Sequence, residues 1–429
     1  MATFTAYKQV NMDMIAFLYG SPSVATATHL QLKTGAYVQN YYGSFSYSGS
    51  GNLIGGQLTS TDFSQGGVKM YALSGGNYSI TTTLNFIQNA NFLGLMQFLF
   101  AGNDTINGSA SADVLSSYAG NDTINGNVGN DTLKGGAGND VLNGGGGADN
   151  MVGGDGSDIY YVDNGFDIVT ETNAIASIGG IDMAYSYLSN YSLKANVENG
   201  RIVASGSANL SGNSLNNLIY AGAGINKIDG LTGIDTVSYG YASTTGTVGI
   251  TLNLVVVNAS GQSTASGISG ADLVKNIENI TGSNYADTLV GNSGKNILNG
   301  GAGNDLILGV QGNDTLIGGI GKDIFRFNTT PNSISNKDAI IDFNVADDTI
   351  QLENAIFTKL LSIGTLAASN FHTSSTGVAA DGNDYVLYNT TTGVLSYDVD
   401  GNSAGAAVQI ATVGIGTHPA LTQADFVVI

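Results

Sequence analysis

Aspartates recur at every ninth position between residues 104 and 167 of this sequence, and again between residues 287 and 323 with one asparagine in the series. Carboxylate oxygens are hard ligands, and calcium takes six to eight such oxygens at about 2.3–2.6 Å. A period of nine fits neither an α-helix nor a simply alternating β-strand. The spacing therefore indicates repeated cation binding, provided that the fold brings several of these carboxylates together.

Each aspartate stands at a fixed place in a nine-residue unit. Two residues after it comes a larger apolar side chain, such as Ile106, Leu115 or Leu133. In the series from Asp104 to Asp167, a glycine stands two residues before each aspartate except at Ser111. Glycine permits a positive φ, so each Gly-rich stretch can reverse the chain tightly before a short strand. Two units then form one coil of eighteen residues, and stacked coils pair strand on strand at roughly 4.8 Å.

Stacking places equivalent aspartates, eighteen residues apart, in neighbouring coils. Two such carboxylates repel by roughly 1 kcal/mol even at the dielectric of water, so the stack needs a counter-charge. Calcium fits carboxylates combined with outward backbone carbonyls better than magnesium, which demands tight octahedral geometry. The predicted ligands are Asp104, Asp113, Asp122, Asp131, Asp140, Asp149, Asp158, Asp167, Asp287, Asn296, Asp305, Asp314 and Asp323, with the turn glycines Gly102, Gly120, Gly129, Gly138, Gly147, Gly156, Gly303, Gly312 and Gly321.

Asparagine replaces aspartate at some positions of the pattern. An amide supplies an oxygen but no charge, so we expect the pair Asn296 and Asp314 to bind metal less well. A degenerate set at Asn217, Asn226 and Asp235 is expected to stack without metal. The alternative for the whole pattern is structural, because Asn and Asp also serve turns without any ion.

The unit G-G-x-G-x-D-x-U-x is the motif of calcium-binding β-helix repeats. On these residues the sequence resembles the repeats-in-toxin (RTX) family of type I secreted bacterial proteins. The segments YYVDNGFDIVTE (160–171) and NIENITGSNYADTLVGNSGKNILNGGAGND (276–305) resemble the linking units of that family. The resemblance implies an all-β fold, a right-handed parallel β-roll with several Ca²⁺ ions between stacked turns.

Five segments follow from the repeats and the resemblance. Residues 1–100 form a neutral, aromatic-rich, mostly β domain that ends in a capping helix, expected from the spacing of Phe92, Leu95, Met96 and Leu99. Residues 101–170 form a first roll, 171–281 linking coils with the degenerate array, and 282–330 a second roll. Residues 331–429 form a β-rich cap, which by resemblance holds an uncleaved signal for the type I secretion machinery.

The amino-acid composition limits which partners and which location the protein can have. The net charge of −20 disfavours nucleic acid and attracts cations, and the chain has no cysteine to form disulfides. The first twenty residues lack the pattern of a secretory signal peptide, and the apolar run NFLGLMQFLF is too short for a transmembrane segment. Secretion and an extracellular or cell-surface location are therefore implied by the resemblance to RTX proteins.

Catalytic patterns are weak in this sequence. It contains His29, His372 and His418, none in an H-E-x-x-H motif, and GNSAG (401–405) matches G-x-S-x-G only formally because a strand pattern follows it. We therefore expect no enzyme. The favoured hypothesis is a secreted structural protein that assembles with copies of itself into a surface layer, filament or matrix. The alternatives are an adhesin or module that binds cell-surface glycan, and a small secreted enzyme.

Overall fold

The computed structural model describes residues 3–6, 8, 24–26, 29–34, 37–48, 53–65, 68–79, 82–83, 85–86, 89, 91–172, 176–241, 248–267, 270–403 and 405–429. The chain divides into two compact units, Met1–Gly200 and Arg201–Ile429. The finer division into five segments stays a prediction.

The first unit begins with a largely antiparallel sheet. Its strands are β1 (Thr3–Ala6), β2 (Val24–Ala25), β3 (His29–Thr34), β4 (Tyr37–Tyr47), β5 (Leu53–Gln65) and β6 (Val68–Ser79). Neighbours in the order β2–β3–β4–β5–β6–β1 pair antiparallel. The buried side chains include Phe4, Tyr41 and Leu58, so the aromatic residues of this region form part of its core.

Helix α1 (Phe92–Leu99) connects this sheet to the repeats. The Asn91 side chain caps it by accepting a hydrogen bond from the Gly94 amide at 3.0 Å, and Leu95 and Leu99 are buried on one face. The Tyr78 hydroxyl donates to the Leu99 carbonyl at 2.6 Å, which ties the helix to β6. In the part of the chain that the structure describes, neither this helix nor any other has the length and apolarity to cross a membrane.

The repeats of the first unit form a roll with two parallel faces. Strands follow in the order β7 (Thr105–Asn107), β8 (Val114–Ala119), β9 (Thr123–Asn125), β10 (Thr132–Ala137), β11 (Val141–Asn143), β12 (Asn150–Asp155), β13 (Ile159–Val162), β14 (Ile168–Thr170), β15 (Met183–Ser186), β16 (Asn190–Ser192) and β17 (Asn199–Ile202), with a short helix α2 (Ala176–Gly179) after β14. One face is β7–β9–β11–β13–β15 and the other is β8–β10–β12–β14. Strand β1 pairs parallel with β7, so the first face continues into the antiparallel sheet.

The register of strand pairing follows the nine-residue repeat. Thr105 pairs with Thr123 on one face and Leu133 with Met151 on the other, each a shift of eighteen residues. The apolar residue of each unit points inward, and Ile106, Leu115, Ile124, Leu133, Leu142, Met151 and Tyr160 are fully buried. These side chains form the thin core between the two faces.

The two faces differ in strand length, which the sequence pattern does not distinguish. Strands β7, β9 and β11 have three residues, whereas β8, β10 and β12 have six. The longer strands continue through the turn because Gly136 stays in register with Tyr118 and Gly154. Gly136 has a φ of +114°, which an alanine would adopt only with strain.

The second unit contains another roll with the same inward pattern. Its repeat strands are β18 (Asn209–Ser211), β19 (Leu218–Tyr220), β20 (Lys227–Asp229), β21 (Thr236–Ser238), β22 (Thr251–Asn253), β23 (Ser263–Gly267), β24 (Gly270–Lys275), β25 (Asn279–Thr281), β26 (Thr288–Val290), β27 (Ile297–Ala302), β28 (Leu306–Leu308), β29 (Thr315–Ile320) and β30 (Ile324–Phe327). The parallel series β19–β21–β25–β27–β29 and β22–β26–β28–β30 form its faces, with Leu289, Leu298 and Ile307 buried between them.

The last hundred residues extend the second roll with further strands. They are β31 (Asp338–Ile340), β32 (Thr349–Leu352), β33 (Gly364–Thr365), β34 (Phe371–Ser374), β35 (Val386–Asn389), β36 (Val394–Tyr397), β37 (Val408–Val413) and β38 (Phe426–Val428), with 3-10 helices at Ala368–Asn370 and Gln423–Asp425. Strands β31 and β37 lengthen one face, and β32 and β38 lengthen the other. The fold is therefore all-β and is a parallel β-roll, as predicted.

Candidate metal centre

The aspartates of the repeats form columns along the edges of each roll. In each column, the backbone N–H of one residue donates to the Oδ1 atom of the residue eighteen positions later, at 2.6–3.1 Å. One column of the first unit is Asp104, Asp122, Asp140 and Asp158, and the other is Asp113, Asp131, Asp149 and Asp167. The structure therefore brings the predicted pairs together, and each carboxylate after the first of its column accepts a hydrogen bond from the coil before it.

The second unit repeats the arrangement. Asp287, Asp305 and Asp323 stack through the same N–H to Oδ1 hydrogen bonds, at 2.7 and 2.9 Å. Asn296 stacks on Asp314 at 2.8 Å. All thirteen predicted side-chain ligands thus lie in columns, and their role as calcium ligands stays a prediction.

The columns run beyond the nine-residue repeats, which sequence reasoning missed. The Asp158 backbone N–H donates to the Oδ1 of Asp182 at 2.7 Å, across 24 residues instead of eighteen. Further members are Asp338 and Asp348 after the second roll, and Asp272 beside Asn226. A usable signal was present, because an apolar residue follows each of these aspartates two positions later, but loops of irregular length break the period.

The predicted turn glycines shape the backbone. The φ angles of Gly120, Gly129, Gly138, Gly147, Gly156, Gly303, Gly312 and Gly321 lie between +113° and +159°, where side chains are rarely tolerated. An added Cβ at Gly147 would also fall 1.5 Å from the carbonyl oxygen of Gly129 in the coil before. Gly102 differs, because an added Cβ there meets nothing within 4 Å. Close stacking of the turns explains why the other positions are glycine. That their carbonyl oxygens bind calcium stays a prediction.

A second set of glycines, five residues before the aspartates, was not among the predicted site residues. An added Cβ at Gly126 would lie 2.4 Å from Asp131 Oδ2 and 2.5 Å from the carbonyl oxygen of Gly144 in the next coil. Gly135 and Gly300 make the same cradle with Asp140 and Asp305. Their φ angles are not positive, so glycine is required here by the space beside the carboxylate rather than by the turn. The first glycine of each G-G-x-G-x-D unit was the signal for this position.

Buried oxygens without partners show what the cradles lack. Eight Oδ2 atoms are buried and accept no hydrogen bond, and their residues form no ion pair with a Lys, Arg or His of the described chain: Asp131, Asp140, Asp149, Asp158, Asp235, Asp305, Asp314 and Asp323. A buried carboxylate oxygen without a partner is costly, and folded proteins keep only a few buried polar groups unsatisfied. A cation bound by these oxygens and the neighbouring carbonyls removes that cost, so the residues present fit calcium.

The electrostatics of the columns also call for a bound cation. Burial raises the pKa of Asp131 to about 6, of Asp140 to about 7 and of Asp158 to about 8. Hydrogen bonds from the preceding coil lower each pKa, and the carboxylates of neighbouring coils raise it again. Without a counter-charge, the columns therefore hold carboxyl groups that resist ionisation near neutral pH.

The asparagines of the columns donate hydrogen bonds through their amide nitrogens, although Asn226 Oδ1 is buried and has no partner among the described residues. The side-chain amide of Asn296 donates to the Glu278 carbonyl at 2.6 Å, and that of Asn226 donates to the Gly222 carbonyl at 3.0 Å. Asn296 Oδ1 lies where an aspartate presents Oδ2, because it faces Gly291 and accepts from the Asn292 amide at 2.8 Å. Asn296 therefore has the geometry of a hydrogen-bonded turn, and weaker or absent metal binding at these two coils stays a prediction.

The formal hydrolase motif lies in a different setting from a nucleophile elbow. The element after Ser403 is strand β37, whereas an elbow leads into a helix. The His372 ring contacts Asp384 at 3.7 Å, and His418 lies 3.3 Å from the Val413 carbonyl. No arrangement of a nucleophile with a base follows from these contacts of the described residues.

Comparison with known protein families identifies the type of repeat. The RTX calcium-binding nonapeptide repeat family matches this chain at residues 100–133, 126–160, 134–169, 205–240, 281–316 and 302–328. No curated protein matches the chain. The matched residues contain all thirteen predicted side-chain ligands, whereas Asp182, Asp272, Asp338 and Asp348 lie outside them. The repeats of this family bind Ca²⁺, and proteins that carry them are typically secreted. The chain therefore contains calcium-binding nonapeptide repeats of the RTX family, folded as a parallel β-roll.

Proposed function

We propose that this protein is exported by type I secretion, folds on meeting extracellular calcium, and assembles with copies of itself into a structural layer, filament or matrix at the cell surface. The observation that carries the proposal is the set of eight buried Oδ2 atoms without partners. They make the folded roll depend on a cation that is scarce inside cells and abundant outside.

The free energies expected for calcium binding support calcium as a switch for folding. Calcium modules outside cells have dissociation constants near 10⁻⁴–10⁻³ M. A site at 100 times its dissociation constant stabilises the fold by about 2.7 kcal/mol. A few such sites equal the whole stability of an ordinary domain, about 5–15 kcal/mol. The chain has no cysteine, so calcium would replace disulfides as the source of stability outside the cell.

Features of the antiparallel sheet favour assembly. Strands β4 and β5 carry one charged side chain between them, Asp62, which pairs with Lys69 at 3.9 Å. Tyr37 and Tyr42 are exposed on the same sheet. A surface with so little charge has little to keep copies of the chain apart, in contrast to the acidic repeats.

Light scattering and electron microscopy of the purified chain test this function. Ordered polymers that form with millimolar calcium and disperse with chelator are the expected result. A chain that folds with calcium but stays monomeric at all concentrations contradicts assembly and leaves calcium binding intact.

Glycan binding is the second candidate. The rings of Tyr37 and Phe63 stack at 6.0 Å between centroids, and Tyr37 is 42% exposed, an arrangement suited to a sugar face. A glycan array probed with the calcium-loaded protein separates the two functions. Specific binding by a monomer, lost on Tyr37→Ala, favours the adhesin.

A further inference from the structure

A second cluster of acidic groups lies at the end of the first roll. Asp158, Glu171 and Asp182 each place a carboxylate oxygen within 4.8 Å of the other two, and all three residues are buried. Asp158 and Asp182 belong to one column, whereas Glu171 follows β14 and belongs to neither column. Neither Glu171 nor Asp182 was predicted from the repeat.

Glu171 occupies a glycine position of the repeat. Residues eighteen and thirty-six positions before it are Gly153 and Gly135. In the earlier coil, the Gly153 carbonyl forms the cradle beside Gly135, with Asp140. In the last coil, the Glu171 carbonyl instead accepts from the Asn196 side chain at 3.3 Å, and the Glu171 carboxylate enters the cradle beside Gly153.

The oxygens of this cradle converge. A Cβ added to Gly153 would lie 1.9 Å from the Tyr160 hydroxyl, 2.2 Å from Asp158 Oδ2 and 2.5 Å from Glu171 Oε1. The Tyr160 hydroxyl donates to Glu171 Oε1. Glu171 Oε2 and Asp158 Oδ2 have no partner among the described residues, although Glu171 is 7% exposed and Asp158 1%.

We propose that Asp158, Glu171 and Asp182 bind a further Ca²⁺ that closes the end of the first roll, in addition to the ions held between two regular repeat turns, with Asp158 as the repeat aspartate that contributes to it. Two oxygens on opposite sides of a calcium ion are about 4.6–5.2 Å apart, which matches the spread of these carboxylates. The Tyr160 hydroxyl is a fourth oxygen at the site. No Lys, Arg or His of the described chain forms an ion pair with any of the three carboxylates, so a cation is the remaining counter-charge.

The position of this ion at the end of the roll gives it a structural role. The coil from Asp158 to Asp182 has six residues more than a regular coil and contains α2. A single ion bound by Glu171 at the beginning of this insertion and by Asp182 at its end holds both to the last regular coil. The inference rests on calcium binding by the repeats and adds one site of a different ligand type.

Counting bound calcium tests the site. The full-length wild type, Glu171→Gln and the control Asp163→Asn are equilibrated with the same free calcium by dialysis, and calcium per chain is measured by mass spectrometry. Asp163 is exposed at the same end of the roll, so its variant removes an equal charge outside the site. We expect one ion fewer in Glu171→Gln and the wild-type count in Asp163→Asn.

The outcomes separate this site from the function proposed above. Glu171→Gln should still gain its β signal with calcium, because the repeat turns are unchanged. An unchanged count in folded Glu171→Gln overturns the site, and indicates that the three carboxyl groups share protons instead. If Glu171→Gln does not fold, anomalous density from calcium-loaded crystals of the wild type decides: a peak between Asp158 and Glu171 supports the site, and its absence overturns it.

Discussion

Replacing Gly126 with alanine tests whether the cradles hold calcium. The added methyl group would lie 2.4 Å from Asp131 Oδ2 and 2.5 Å from the Gly144 carbonyl oxygen, so it fills the space that both oxygens face. Gly126 does not have a positive φ, so the backbone itself tolerates alanine. The variant therefore removes room for one ion while it keeps the carboxylate.

The expected loss follows from linkage. Above its dissociation constant, each bound ion adds about 1.4 kcal/mol to the free energy of unfolding for every tenfold rise in calcium. Gly126→Ala should lower that slope by about 1.4 kcal/mol per tenfold and cost about 2.7 kcal/mol at 100 times the dissociation constant. Strain from the methyl group that does not depend on calcium cancels in the slope.

Urea unfolding, followed by circular dichroism at several calcium concentrations at which the protein is folded, measures the slope. The matched control is Gly146→Ala, where an added Cβ meets nothing within 4 Å and φ is not positive. It should keep the wild-type slope and gain up to about 1 kcal/mol of stability. A wild-type slope in Gly126→Ala, or an equal fall in both variants, refutes the cradle as a calcium site.

Three further predictions concern charge, core and pH. Asp131→Asn keeps an oxygen to accept from the Asp113 amide but removes the charge, so urea unfolding should show about 2–3 kcal/mol lower stability in saturating calcium and equal or higher stability in chelator. Leu133→Ala, in the core, should lose about 2–5 kcal/mol while the calcium slope stays at the wild-type value; a changed slope would mean that core and site are not separable. Carboxyl groups with raised folded-state pKa values, about 6 for Asp131 and about 8 for Asp158, stabilise the folded state when protonated. In chelator, β structure should therefore be greatest at acid pH and decline as the pH rises towards 8, whereas in calcium, stability should rise with pH because the metal binds the ionised form. A circular dichroism titration that declines towards acid pH in chelator would contradict this sign.

The roll was predictable because its repeat is local. Each nine-residue unit contains its turn, its inward residue and its carboxylate, so the pairing of Asp131 with Asp149 follows from the period alone. The ends of the rolls obey the same physics without the period. Asp182 continues a column after an insertion of six residues, and no nine-residue spacing leads to it.

Other features depend on contacts between distant parts of the chain. The pairing of β1 with β7 joins Thr3 to Thr105, and nothing in the local pattern of either segment specifies that partner. Glu171 follows an ordinary strand pattern, and its place beside Gly153 becomes visible only when the coils are stacked. Sequence reasoning therefore predicted the repeated part of the site and missed the groups that terminate it.

The dependence of the fold on calcium is tested most directly by circular dichroism of the whole chain in excess chelator and in millimolar calcium at pH 7.5. We predict that chelator abolishes most of the β signal of the rolls and their cooperative melting, and that added calcium restores both. The same β spectrum and the same melting temperature in both solutions would contradict the claim that bound cations neutralise the buried carboxylate columns.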